Sequence, residues 1–266
     1  MDNKRLRKAK TVKTEDVCFA ANLTGEKIAD AVRKQQTEIL KIPAEFENEC
    51  QNIRGQGFEM IRISRNLGEY YSAVAGKENP RRENTELCET LEFLCKVAEE
   101  FAELREMRIL CKLPKEKVLV KINCESFDYA FYNILRNSME HSCPKSRIKV
   151  VLTKSKRFAK IAVSDNGEGM TEEILCRCAE PFFSGTPWRK NLGIGLTIAE
   201  HFVKSSGGRV KIRSEKGKGT TVSIFLPLET KDEVFISDGG KHLSIGGIFI
   251  PAYVSFSGIA EKEMME

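Results

Sequence analysis

The chain lacks any long apolar run. Charged residues make up 30% of its 266 residues, and it has no stretch of roughly eighteen apolar residues, the minimum for a membrane-spanning helix. Residues 1–13 are basic, but no apolar segment follows them, so no signal peptide is expected. We interpret residues 1–13 as a disordered arm and predict a cytoplasmic protein without a membrane span.

The sequence also lacks a Cys-x-x-Cys pair, although it contains nine cysteines. An odd number of scattered cysteines in a chain of this length is typical of reduced thiols in a cytosol. A zinc site is therefore not expected. The net charge of +5 is too small to indicate a nucleic acid partner, and none is expected.

A helix with two asparagines is predicted over residues 127–141. Asn133 and Asn137 lie four residues apart and so share one helix face, beside an apolar face. Amide oxygens can bind a hard cation such as Mg²⁺, which takes few protein ligands and keeps phosphates and waters for the rest. Taken alone, the asparagine pair indicates a solvated helix surface at least as well. The apolar face is formed by Phe127, Phe131, Ile134, Leu135 and Met139.

A glycine-containing acidic segment follows the strand predicted over 158–164. Asp165 lies at the strand end, where its carboxylate could accept the exocyclic amino group of adenine. Gly167 and Gly169 allow positive φ and close approach of the backbone to a ligand. The alternative is an ordinary Asp-Asn-Gly turn, but a helix predicted from Thr171 to about residue 179 follows, which a plain hairpin would not need.

Two further glycines open a helix predicted over 194–206. Backbone N–H groups at a helix start, together with the helix macrodipole, bind phosphate, and Gly193 and Gly195 lie at this start. The preceding loop contains Arg189 and Lys190. We expect it to be a lid that brings cations to the phosphates.

The order of these segments resembles the ATP-binding domain shared by sensor histidine kinases, gyrase, a heat-shock chaperone and the MutL mismatch-repair proteins, known as the GHKL or Bergerat fold. The resemblance covers about residues 117–228. It rests on an N box (Asn133–Asn137), a G1 box (Asp165–Gly169), an F box (Pro181–Phe183), a G2 box (Gly193–Gly195) and a closing strand segment (Gly217–Pro227).

This resemblance implies that ATP and Mg²⁺ are bound. It assigns Asn137 to the metal and Asp165 to the adenine amino group. It places Asn133, Thr220, Arg189, Lys190 and the glycines at 167, 169, 193 and 195 around the nucleotide.

Within that family the chain resembles the histidine kinase branch. Asn133 stands where the ATP-hydrolysing branches have a glutamate, and an amide cannot act as a general base. The kinase branch implies phosphoryl transfer to a histidine and then to an aspartate of a response regulator. Two positions depart from the family pattern, since Glu140 replaces a lysine and Asn191 replaces the first glycine of the G2 box.

A helical hairpin is predicted over residues 14–76 from apolar residues at heptad spacing. Two such hairpins would form a homodimeric four-helix bundle, which resembles the dimerisation and phosphoacceptor domain of histidine kinases. A hairpin packed within one chain is the alternative. Gly25 occupies the place of the phosphorylated histidine, beside Glu26 at the place of the catalytic acid. The three histidines of the chain all lie outside the hairpin, at 141, 201 and 242.

The predicted architecture is α+β. A polar linker over 76–84 and a helix near 85–104 follow the hairpin, and the ATP-binding domain spans 85–228. Its sheet is predicted to use strands near 118–122, 147–153, 158–164, 209–214 and 220–226. The tail over 229–266 is apolar in part, and is expected to add an edge strand or to contact a partner.

Three functions are compatible with the sequence. The first is a cytoplasmic histidine-kinase-type phosphotransferase of two-component signalling. The second is a non-catalytic ATP-binding switch that dimerises and binds another signalling protein. The third is a serine kinase similar to anti-sigma factors, which share the pocket but lack a long bundle.

Overall fold

The computed structural model describes residues 59, 62–71, 74, 82–185, 192–229, 244–245, 248–249, 252 and 255–256. Residues 62–71 are helical and are called the upstream helix below. The rest of the predicted hairpin over 14–76, apart from the helical residues Glu59 and Val74, lies outside the described residues, as do Gly25 and Glu26. Among the described helices, none is long and apolar enough to cross a membrane.

The centre of the domain is a five-stranded sheet. Its strands are β2 (Arg108–Lys112), β4 (Arg147–Lys154), β5 (Phe158–Ser164), β6 (Arg209–Glu215) and β7 (Gly219–Pro227), in the order β2-β4-β5-β7-β6. Only the β2–β4 pair is parallel. Side chains alternate between the two faces of a strand, and in β5 the apolar residues Ala159, Ile161 and Val163 are all buried.

Helices lie beside the sheet, and the longer ones form the core with it. The helices are α1 (Leu87–Glu103), α2 (Cys124–Glu140), α3 (Glu172–Arg177) and α4 (Gly195–Ser205). The start of α2 is fixed by Asn123, whose side chain accepts a hydrogen bond from the Ser126 N–H at 2.8 Å, a typical N-cap. Phe127 and Phe131 of α2 are fully buried, with ring centroids 5.9 Å apart. The α/β sandwich predicted from the sequence is confirmed.

The strand assignment needs two corrections. β3 (Leu119–Ile122) does not join the main sheet, as predicted, but pairs antiparallel with β1 (Glu83–Glu86) in a separate two-stranded sheet. β1 begins inside the predicted polar linker. The main sheet instead contains β2, where four of five residues are exposed and only Ile109 is buried. Such a strand carries no apolar alternation by which the sequence could reveal it.

The C-terminal tail packs on the helical side of the domain. Phe256 is 1% exposed, and its ring lies 5.1 Å from that of Phe101 and 5.0 Å from that of Tyr132. The short strands β8 (Ser244–Ile245) and β9 (Ile248–Phe249) pair with each other. In the described part of the tail, the Phe256 ring contacts the domain together with the Ser255 carbonyl, which accepts a hydrogen bond from Arg136 Nη1 at 2.7 Å. The described tail strands do not join the five-stranded sheet.

Candidate nucleotide-binding site

A cavity of about 200 Å³ lies beside α2. Its walls come from α2, the loop after β5, the start of α4, strand β7 and the upstream helix. It brings together seven of the predicted site residues, namely Asn133, Asn137, Asp165, Gly169, Gly193, Gly195 and Thr220. Gly167 is not one of the lining residues, and the predicted Glu26, Arg189 and Lys190 fall outside the described residues.

Asn133 presents an unsatisfied amide at one end of the cavity. The residue is 5% exposed, and its Nδ2 has no hydrogen-bond partner among the described residues. A Cβ built on Gly195 would lie 3.4 Å from Asn133 Oδ1, so the amide stands against the first residue of α4. A buried donor without a partner costs roughly 1–3 kcal/mol. A ligand that accepts a hydrogen bond here would remove that cost.

Asp165 is fixed at the other end by two backbone N–H groups. Its Oδ1 accepts hydrogen bonds from Gly167 and Thr220, each at 3.0 Å. The Thr220 hydroxyl lies 2.8 Å from that of Ser214, which also accepts a bond from the Met170 N–H at 2.8 Å. Since none of the described residues hydrogen bonds to Oδ2, the carboxylate keeps a free acceptor in a rigid setting.

Two glycines of the G1 and G2 boxes are required by contacts within the protein itself. Gly169 (φ +60°) and Gly193 (φ +66°) adopt positive φ, as expected. However, a Cβ on Gly169 would lie 2.0 Å from the Glu215 carbonyl oxygen, and one on Gly193 would lie 2.4 Å from that of Phe183. The close approach that requires glycine is made by the protein's own backbone, and the cavity shape follows from it.

The cavity has two chemically distinct ends along α2. The Glu168 N–H donates to the His141 carbonyl at 2.9 Å, so the G1 segment lies against the C-terminal end of α2. Asn133 lies eight residues before His141, which is about 12 Å along a helix, and the start of α4 lies against Asn133. One end therefore offers the Asp165 carboxylate, and the other offers an amide donor and a helix N-terminus.

Several charged residues of the cavity were missed by the sequence analysis. Glu168 pairs with His141 through an Nδ1–Oε1 contact of 2.7 Å and with Lys216 through an Nζ–Oε2 contact of 3.7 Å. Arg136 pairs with Glu140 through an Nε–Oε1 contact of 2.8 Å. Burial lowers the pKa of Arg136, although Glu140 acts in the opposite direction. The four-residue spacing of Arg136 and Glu140 on a helix is the signal that could have revealed this pair.

Glu140 was noted above as a departure from the family pattern. The Glu140 carboxylate forms an ion pair with Arg136, so a positive charge accompanies its negative charge at the cavity. The upstream helix adds Arg62 and Asn66 to the lining, and the sequence analysis did not anticipate either residue.

Residues 125–230 match the family model described as "Histidine kinase-, DNA gyrase B-, and HSP90-like ATPase". The curated relatives that the chain matches include sporulation kinases and a sensor protein. Residues 125–230 are therefore similar to the ATPase domain that histidine kinases share with DNA gyrase B and HSP90. The cavity described above lies within the matched ATPase domain, with Arg62 and Asn66 contributed from outside it.

Two relatives and one solved structure illustrate the similarity. Sporulation kinase C of Bacillus subtilis (strain 168) is 38% identical over 101 residues, which is 38% of this chain and 23% of the relative. The alginate biosynthesis sensor protein KinB of Pseudomonas aeruginosa is 24% identical over 209 residues, which is 77% of this chain and 34% of KinB. The chain thus spans about a quarter to a third of the length of these kinases.

The structure of full-length ShkA in complex with AMPPNP shares the fold at a TM-score of 0.61 and 15% identity. The alignment covers 77% of this chain and 46% of ShkA.

Proposed function

We propose that this histidine kinase relative binds Mg-ATP in the cavity beside α2 and works in two-component signalling. The reaction class is transfer of the terminal phosphoryl group to a histidine and then to a response-regulator aspartate. The observation that carries the proposal is that one cavity is lined by Asp165, whose Oδ2 accepts no hydrogen bond from the described residues, and by Asn133, whose buried Nδ2 has no partner among them.

The residues at the two ends fit the two ends of ATP. Asp165 Oδ2 is an acceptor for the adenine amino group, held in place by the bonds to Oδ1. Asn133 Nδ2 is a donor for a phosphate oxygen, beside the N-terminus of α4, whose dipole favours an anion. Asn137 lines the same cavity and would be the protein ligand of Mg²⁺. The cation would neutralise phosphate charge and orient the phosphates for transfer.

The predicted phosphoacceptor position holds glycine, and this supports a second candidate function. Gly25 has no side chain that could accept a phosphoryl group, and no histidine precedes His141. His141 contacts Glu168 at the Asp165 end of the cavity, away from the Asn133 end. This observation favours a non-catalytic, ATP-dependent switch that binds a signalling partner through a homodimeric hairpin over 14–76.

Labelling with radioactive γ-phosphate ATP distinguishes these functions. We expect little or no acid-labile, base-stable phosphohistidine on the wild-type chain after incubation with Mg-ATP. Strong labelling of that kind would contradict the assignment of Gly25 to the acceptor position. An acid-stable, base-labile phosphate on serine would favour the serine kinase alternative.

The informative variant is Gly25→His. If Glu26 is the adjacent acid of a phosphoacceptor site, this change restores acid-labile labelling on the hairpin. The matched control is Gly25→Asn, which adds a side chain of similar size that cannot be phosphorylated in this way. Equal labelling of both variants would show that the label lies elsewhere.

A further inference from the structure

The upstream helix lies antiparallel along α2. Arg65 Nη2 donates to Glu125 Oε1 at 2.7 Å, and the Arg65 guanidinium lies 3.6 Å from the centre of the Tyr129 ring. Glu59, on the helical turn before, lies 4.0 Å from Arg136 through its Oε2. Since the earlier residue contacts the later part of α2, the two helices run in opposite directions.

This alignment brings Arg62 to the level of Asn133. Arg62 lies between Glu59 and Arg65, and Asn133 lies between Tyr129 and Arg136. Both Arg62 and Asn66 are 5% exposed, and both line the cavity. Residues four apart on a helix share one face, so the upstream helix presents an arginine and an amide to the end of the cavity that carries the unpartnered Asn133 Nδ2.

The charge of Arg62 is held by a carboxylate of its own helix. Arg62 Nε donates to Glu59 Oε2 at 3.1 Å, and Nη2 pairs with Glu59 Oε1. Glu59 retains partial exposure, with 28% of its side chain accessible. A phosphate oxygen offers arginine the same bidentate geometry as a carboxylate and carries more charge. A phosphate group can therefore replace the Glu59 carboxylate as the partner of Arg62.

The same helix reaches the F box. The ring of Tyr70 lies 5.1 Å from that of Phe182 at an edge-to-face angle of 75°. Phe182 is 53% exposed in this position. The upstream helix therefore spans from the N-box helix to the segment that precedes the lid, along one side of the cavity.

We propose that the upstream helix is part of the nucleotide site and that Arg62 binds the terminal phosphate of ATP, with Asn66 beside it. ATP then holds the helix on the domain, whereas ADP, which lacks that phosphate, does not. Because linkage is reciprocal, docking of the helix raises the affinity for ATP over ADP by the same factor. This inference rests on the proposed nucleotide binding. It identifies the upstream helix as the element that recognises the terminal phosphate.

The first test compares the affinities of the 266-residue chain for Mg-ATP and Mg-ADP by calorimetry. Loss of a charge-assisted contact typically weakens binding by about tenfold or more. We expect Arg62→Gln to weaken ATP binding by that factor and to change ADP binding by less than about threefold. Arg62→Lys keeps the positive charge but loses the planar guanidinium group. Its affinity for ATP should lie between those of wild type and Arg62→Gln. The control is Arg82→Gln, since Arg82 donates to the Ser205 carbonyl and does not line the cavity.

The outcomes separate this proposal from the proposed function. If the wild-type chain binds neither ATP nor ADP, both the proposed function and the proposed role of Arg62 are overturned. Wild type that binds both, with Arg62→Gln losing equal affinity for each, would overturn the role of Arg62 alone. Retained ADP affinity shows that the variant is folded.

Amide hydrogen exchange provides a second measurement without substitution. Exchange across 62–71 should be slower with ATP than with ADP, because the phosphate holds the helix in place. Equal protection by the two nucleotides would contradict ATP-dependent docking.

Discussion

Replacement of Asp165 by asparagine tests how the cavity recognises adenine. The amide keeps an oxygen at the position of Oδ1, which accepts the N–H groups of Gly167 and Thr220 at 3.0 Å. The second carboxylate oxygen becomes an NH₂ group, which is a donor facing the donor amino group of adenine. The fold is therefore expected to survive, whereas the contact with adenine is lost.

The size of the effect follows from the kind of bond removed. A hydrogen bond to a charged group contributes about 1.5–3 kcal/mol, which corresponds to a weakening of ATP binding by roughly 10- to 150-fold. Asp165→Ala should weaken binding at least as much. It should also lower the free energy of unfolding, because it removes the acceptor of two backbone N–H groups.

The assay is calorimetric titration with Mg-ATP and, in parallel, with Mg-inosine triphosphate. Inosine carries a carbonyl where adenine carries its amino group. Asp165→Asn should therefore shift the preference from ATP toward the inosine nucleotide, since an amide NH₂ donates to a carbonyl. A folded Asp165→Asn variant with wild-type affinity and preference would refute the assignment of Asp165 to adenine.

Four further predictions concern stability and assembly. Phe256→Ala should lower the free energy of unfolding in urea by about 3–5 kcal/mol, because its ring is almost completely buried; no change would show that the tail does not dock in solution. Gly169→Ala should lower the melting temperature strongly, since alanine is strained at a φ of +60° and its Cβ would meet the Glu215 carbonyl oxygen; an unchanged melting temperature would contradict this contact. Burial raises the pKa of Glu86, but bonds from three backbone N–H groups outweigh it and hold that pKa below its usual range. Stability from Glu86 is thus present at neutral pH and lost as pH falls through the lowered pKa, and Glu86→Gln should flatten this acid dependence in denaturation curves measured from about pH 6 downward. Light scattering should show a dimer that depends on residues 14–76, and a strict monomer at about 100 µM would contradict the four-helix bundle.

The elements nearest the cavity were predictable because their sequence periods are regular. α2 has an apolar residue at every third or fourth position, and β5 alternates, so both were placed within a few residues of their observed bounds. Asn133 and Asn137 were assigned to one helix face, and both line the cavity. These features depend on local spacing, which a sequence shows directly.

Features that depend on contacts distant in sequence were not predictable. β2 is recognised only through its pairing with β4, for example Ile109 with Ile148. The need for glycine at 169 that the structure shows arises from the Glu215 carbonyl, 46 residues later. The packing of Phe256 and the position of Arg62 in the cavity likewise depend on how separate segments dock, which no local pattern specifies.

The central claim is that the cavity between Asp165 and Asn133 binds Mg-ATP. The most direct measurement is a calorimetric titration of the 266-residue wild-type chain with ATP in the presence of Mg²⁺ and again in the presence of a chelator. We predict saturable binding at roughly millimolar affinity or tighter with Mg²⁺, weaker binding with the chelator, and loss of binding in Asp165→Ala. Absence of binding by folded wild type at millimolar ATP, or equal binding by Asp165→Ala, would contradict the claim.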